Sequence, residues 1–156
     1  GRPFTGDFAG DLLYSTLIEF GFATGKYAKT ADDGVRFEDC RITNVVRCVP
    51  PQNKPTTAEI AACRPFLESE IAAMANLRVI LALGGIAHQA VLRTLGLKMS
   101  AHKFAHRAEH LLSGGLIMID SYHCSRLNTN TGRLTEAMFH QVFSDIRARL
   151  DEAPLC

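Results

Sequence analysis

Apolar and polar positions change period several times along the chain. Leu12, Leu13, Leu17 and Phe20 recur at helical spacing within residues 8–21, and Gly21 can end that helix. A polar stretch, 25–39, follows. Ile42 to Val46 reads as a short buried strand, broken by Pro50 and Pro51. Thr56-Thr-Ala-Glu59 has the spacing of a capping box just before Ile60. Ile60, Cys63, Leu67, Ile71 and Met74 then share one helical face, and Pro65 inside that pattern is expected to kink it. Residues 77–83 and 116–119 read as two further buried strands. Gly84-Gly85 turns the first of these into a helix reaching about Leu95, and Thr135 opens a last helix running to about residue 150.

Strands that alternate with helices predict an α/β fold: βαβ units and a mostly parallel sheet with helices on both faces. In such sheets ligands bind outside the carboxyl ends of the strands. Three stretches fall there: 44–51, 84–86 and 123–130.

Composition narrows the class. The chain has 156 residues, 47% hydrophobic and 21% charged, which suits one globular domain with a sizeable core. A net charge of +1 is too balanced to announce nucleic acid, so such a partner would be met by a local patch. No apolar run approaches the roughly 18 residues of a membrane helix. Five cysteines in no tight framework argue against a disulfide-stapled fold and for a reducing compartment. The first residue is Gly1 rather than Met, so the sequence is expected to begin within a longer protein.

The candidate chemistry lies at the strand ends. His123 can donate to a developing anion, Ser125 can bind phosphate, and Asn128 can bond a base edge or the backbone. The plain alternative is a polar turn whose Ser and Asn satisfy their own backbone. Three glycines between Gly1 and Gly10, Gly6 among them, allow close backbone approach to a ligand. Phe4 can stack on a ring there, and Asp7 can act as a base or simply cap the helix that follows. Asn44 is a polar amide at the end of an expected buried strand, bonded either to a ligand or to loop backbone. Cys48 and Cys63 are half of a four-cysteine set, or free thiols that pack. His102, His106 and His110 recur every four residues, but the segment lacks a helix start. With Lys103 and Arg107 they fit a modest basic patch for phosphate better than a zinc site. Leu83-Gly-Gly-Ile-Ala falls short of a dinucleotide fingerprint and suits close strand-to-helix packing.

Taken together, GRPFTGDFAGDLL (1–13), ITNVVRCVPPQNKPT (42–56), AACRPFL (61–67), VILALGGIA (79–87) and SYHCSRLNTNTGRLT (121–135) resemble the uracil-DNA glycosylase superfamily. Within it they are similar to the B-type (family 5) iron–sulfur enzymes. The resemblance implies a three-layer αβα fold around a central, mostly parallel four-stranded sheet. Residues 1–156 would form a single domain, with the first strand and a Gly-x-Ala-Pro motif upstream of Gly1. It implies a monofunctional enzyme that hydrolyses the N-glycosidic bond of uracil, and of other deaminated or damaged bases such as hypoxanthine, in DNA. The base is flipped out and an abasic site remains. A non-catalytic DNA-binding relative, or an inactive fragment, is the alternative.

The resemblance also distributes roles. Phe4 stacks on the flipped base, with Gly6 beside it. Asn44 reads the base's polar edge and His123 bonds its carbonyl oxygen as charge grows. Asp7 substitutes for the water-activating acid that other branches carry upstream. Ser125 and Asn128 press on the DNA backbone. Cys48 and Cys63 are two of four ligands of a [4Fe–4S] cluster, the others lying upstream. Cys124 stands where the family has Pro, which would loosen the loop and place a thiol near DNA. The protein would be a prokaryotic, cytoplasmic monomer whose partner is DNA carrying uracil or deaminated bases, with no membrane partner.

Overall fold

The computed structural model describes residues 2–47, 52 and 54–153. They form two compact units. The first takes in the described residues up to Ile42 and those from Ser121 onward; the second runs Thr43–Asp120.

The first unit begins with α1 (Phe8–Glu19), then a hairpin of β1 (Ala23–Thr24) and β2 (Arg36–Phe37), antiparallel with Ala23 opposite Phe37. After Ser121 come α4 (Arg126–Asn130) and α5 (Glu136–Asp151). Leu13, Tyr14 and Leu17 on α1 are buried, as are Phe139, Val142, Phe143 and Ile146 on α5. This is the apolar stripe that helical period predicts. Phe22 meets Phe143 edge-on at 6.1 Å between ring centroids. Arg147 closes the packing: its guanidinium lies 3.8 Å from the Phe22 ring centroid and its Nε donates to the Phe20 carbonyl.

The second unit is built on a sheet in the order β3 (Val79–Leu83), β5 (Ile117–Ser121), β4 (Glu109–Leu111), with β4 antiparallel to β5. α2 (Thr57–Ala73) and α3 (Gly85–Thr94) accompany it, and α3 packs on both β3 and α2. Ala82, Val91, Leu92, Leu112 and Met118 form its core. Gly84 has φ +94° and ψ 165°, a conformation open to glycine alone. It turns the chain from β3 into α3, and its carbonyl accepts the first helical hydrogen bond from His88.

Local signals held well. Thr56 and Glu59 form the reciprocal capping box, Asp7 caps α1, and Thr135 caps α5. One expectation needs correction. Residues 42–46 are not a strand; the larger sheet has three strands among the described residues, and one of its pairs is antiparallel. Adjacent Thr43 and Asn44 would put a polar side chain on each face of a strand there; both are exposed instead. α2 runs from Thr57 to Ala73 with Pro65 inside it. The polar stretch 25–39 carries β2.

Among the described residues, no helix is long and apolar enough to cross a membrane.

Candidate functional site

The first unit gathers most of the expected site. Phe4 and His123 face one another with ring centroids 5.8 Å apart and planes inclined at 43°. Phe4 holds this position with φ +60°, the left-handed region, at a cost of about 1–2 kcal/mol for a residue with a side chain. Gly10 makes room for it. A Cβ at Gly10 would stand 1.9 Å from the Phe4 carbonyl oxygen, so no other residue fits without moving that loop.

Asp7 sits at the mouth of α1. Its Oδ1 accepts the Gly10 N–H at 2.8 Å, the plain capping role, and its side chain remains exposed. Capping uses one carboxylate oxygen. The other makes no hydrogen bond among the described residues. Gly6 precedes it at φ +87° and donates its N–H to the Tyr27 hydroxyl.

His123 follows β5 on a half-buried turn. Burial holds its pKa below the usual histidine value, and the Asp7 carboxylate only partly opposes this. The imidazole is therefore neutral around pH 7, with one N–H to give and no charge to lose. The turn is fastened by the residues beyond it. Asn128 Nδ2 donates to the His123 carbonyl at 2.9 Å. Ser125 caps α4, its Oγ accepting the Asn128 N–H. Ser125 and Asn128 thus bond their own backbone, the plain alternative, and in doing so they fix the turn that carries His123.

Cys124 is corrected outright. It is fully buried, and burial pushes its thiol up to about 12. It packs as a small apolar residue and presents no reactive thiol. Beyond it the surface changes character. Leu127 is 72% exposed, Arg126 lies over the Phe8 ring and Arg133 over the Tyr122 ring.

The second unit holds the rest. Asn44 is exposed on irregular backbone rather than at a buried strand end. Cys63 is half-buried on α2, and Cys48 lies outside the described residues. The described cysteines do not assemble a four-thiolate site. Cys40, in the first unit, is a half-buried thiol that desolvation pushes up to about 11, and the one group of potential metal ligands among the described residues contains no cysteine.

That group, His88, His110 and Asp120, escaped the sequence reading. His88 Nδ1 lies 2.7 Å from Asp120 Oδ1, and His110 Nε2 lies 2.7 Å from Asp120 Oδ2. His88 Nε2 lies 2.7 Å from the His102 carbonyl, which can only accept, so that nitrogen carries hydrogen. Both carboxylate oxygens and both His88 nitrogens are thereby occupied. The cluster is a closed hydrogen-bonded network at hydrogen-bond separations, which leaves no ligand atom of Asp120 or His88 open for a metal. The expected basic patch loses His110 to it. Residues 102–110 are not a helix either, since Arg107 has φ +68°.

Comparison with known proteins fits this arrangement. A family profile described as the uracil DNA glycosylase superfamily matches residues 1–147. A Type-5 uracil-DNA glycosylase of Thermus thermophilus is 45% identical over 147 residues, covering 94% of this chain and 67% of its own length. A Type-5 uracil-DNA glycosylase of Mycobacterium leprae is 42% identical over 149 residues, covering 94% of this chain and 65% of its own. A Type-4 uracil-DNA glycosylase of Thermotoga maritima is 44% identical over 88 residues, 56% of this chain and 38% of its own. This chain thus spans about two thirds of the length of the two Type-5 relatives. Matched by that profile and by relatives over 94% of its length, the chain belongs to the uracil-DNA glycosylase superfamily.

Proposed function

We propose that this chain excises uracil from DNA as a monofunctional N-glycosyl hydrolase, residues 1–156 working as one glycosylase domain on the superfamily's sheet. The observation that carries the reading is the facing pair Phe4 and His123 within reach of Asp7's charge. One ring offers a face to stack on, the other a neutral donor to an anion.

The chemistry follows from these groups. The target base leaves the duplex at a cost of a few kcal/mol. Stacking on Phe4 offsets about 1–3 kcal/mol of that. The bond between C1′ and the base nitrogen breaks, the pair of electrons leaves with the base, and negative charge spreads onto its carbonyl oxygen. A neutral His123 donates its N–H there, worth about 1.5–3 kcal/mol as a bond to a charged acceptor. The unbonded Asp7 oxygen takes a proton from water as the water oxygen joins C1′. The departing base is reprotonated, leaving an abasic site. Gly6 keeps the floor beside Phe4 free of a side chain, and Asn44 reads the base edge. Leu127 between Arg126 and Arg133 suits a groove surface, apolar at the tip and cationic around it. Ser125 and Asn128, by fixing the turn, hold that surface against the DNA backbone. The pocket accepts other deaminated bases, hypoxanthine among them.

The test is incubation with a uracil-containing oligonucleotide followed by alkali. Strand breakage at uracil is expected, and its absence removes the proposal. Asp7→Ser keeps a capping acceptor and loses the carboxylate, so it should slow excision about 10²–10⁴-fold with DNA binding intact. If Asp7→Ser is as active as wild type, Asp7 only caps.

For the cofactor we propose Cys48 and Cys63 as two thiolate ligands of a [4Fe–4S] cluster. Two thiolates are half of what such a cluster needs, and the described residues supply no others. A broad absorption near 400 nm lost in both Cys48→Ala and Cys63→Ala is the expected result; a band unchanged in either variant removes that ligand.

A further inference from the structure

The polar stretch 25–39 reaches back to the first motif, and nothing in the proposed chemistry uses it. Asp33 is its anchor. Both its oxygens receive the Arg2 guanidinium, Nη1 to Oδ1 and Nη2 to Oδ2, each at 2.9 Å. The same carboxylate accepts the N–H groups of Ala28 and Val35, so it also shapes its own turn. The Asp33 side chain has no exposed surface and that of Arg2 only 11%. Arg2 further donates to the Thr30 carbonyl and to Thr5 Oγ1.

Two tyrosines complete the arrangement. Arg2 lies 4.6 Å from the Tyr14 ring centroid, and Tyr14 and Tyr27 stack with centroids 4.5 Å apart. Their hydroxyls point to the backbone around Phe4. Tyr14 donates to the Pro3 carbonyl at 2.6 Å. Tyr27 donates to the Phe4 carbonyl at 3.3 Å and accepts the Gly6 N–H at 3.1 Å. Backbone groups before, at and after Phe4 are thus tied to side chains from α1 and from the polar stretch, and Phe4 is the residue with strained φ.

We propose that Arg2, Asp33 and Tyr27 are positioning residues: a clamp that holds Phe4 in its left-handed conformation so that its ring faces His123 ready for the base. This rests on the stacking role proposed for Phe4. A left-handed Phe has extended alternatives that are more favourable in isolation, so an unclamped loop spends most of its time elsewhere. Substrate would then have to restore the geometry on binding, and apparent affinity falls by the fraction competent.

The mild variant is Tyr27→Phe, which removes one oxygen and keeps the stack on Tyr14; Asp33→Asn is the stronger one. Single-turnover excision should show the half-saturating concentration of uracil-DNA rising about tenfold in Tyr27→Phe, with the maximal rate within about threefold of wild type. In a Phe4→Ala background the same change should add less than about twofold, because its benefit passes through Phe4. Losses that add in full to those of Phe4→Ala overturn the positioning role and leave a structural one. Amide exchange over residues 4–10 gives a readout independent of activity: about tenfold faster exchange is expected in both variants, against unchanged exchange in α5. Unchanged exchange over 4–10 overturns the clamp. If wild type leaves uracil in place, the proposed activity fails, while the exchange comparison still decides whether the clamp holds the loop.

Discussion

Each unit carries histidine close to a carboxylate, and the two sites are built in opposite ways. In the second unit, His88 and His110 are buried against Asp120, and both oxygens of that carboxylate are used at 2.7 Å. In the first unit, His123 is half-buried, its ring meets Phe4 and no other aromatic ring among the described residues, and Asp7 acts on it through charge with no hydrogen bond between them. The Asp120 arrangement is complete without a ligand, so it holds the fold. The His123 arrangement has donor and acceptor capacity left over, and that surplus is what the proposed chemistry uses. Histidine and carboxylate together therefore say little about function until each atom's partner is known.

The largest expected effect comes from breaking the complete site. Asp120→Ala leaves two buried imidazoles without their acceptor and should cost about 3–5 kcal/mol of stability. For a chain of this size that lowers the unfolding midpoint by roughly 10 °C or more, measured by thermal or denaturant unfolding. Asp120→Asn keeps the volume but accepts from one imidazole only, so it should fall between. An unchanged midpoint in Asp120→Ala would mean the network contributes nothing to stability and the contrast between the sites is false.

A smaller effect, on rate rather than fold, is expected at the open site. His123→Ala should lower the maximal excision rate about 10²–10³-fold while the unfolding midpoint barely moves. Its pH dependence sharpens the point. The folded pKa of His123 lies below its unfolded value of 6.5, so between those two values the unfolded chain binds more protons. The stability this group contributes is complete above 6.5 and is lost as pH falls through that window. Excision should stay level from pH 7 down past 6.5 and decline only below it, in single-turnover rates. A rate that instead rises as pH falls through that window would mean that the charged imidazole does the work.

What could be read in advance divides by range. Asp7 and Thr56 were legible as caps because a cap needs only a side chain and an amide three residues on. Phe4, Asp7 and His123 were singled out through motifs as candidates, and the structure adds that Phe4 and His123 face each other. The pairing of Arg2 with Asp33 was not legible: they stand 31 residues apart, and Asp33 lies in a stretch of turn-forming residues. Asp120 was passed over as the end of an apolar strand, and its partners come from α3 and β4. The histidine spacing at 102, 106 and 110 misled because a four-residue repeat brings side chains together only on a helix, which Arg107 forbids. Ile42 to Val46 misled because a short apolar run fits a strand or a strap equally well.

The burial rhythm around His123 has one more consequence. Ser121 and Cys124 are both without exposed surface, while Tyr122 and His123 between them are half-buried. The imidazole thus rides on a span two residues long, seated in the protein at both ends. A span so short cannot swing; it leaves the ring little beyond its own side-chain torsions. In mechanical terms the proposed donor is a bracket rather than an arm, and its aim is set by how firmly its two footings are seated. Cys124 is one of those footings. What a side chain at that position must supply is a good fit to its socket, and a buried thiol meets that need without any reactivity of its own.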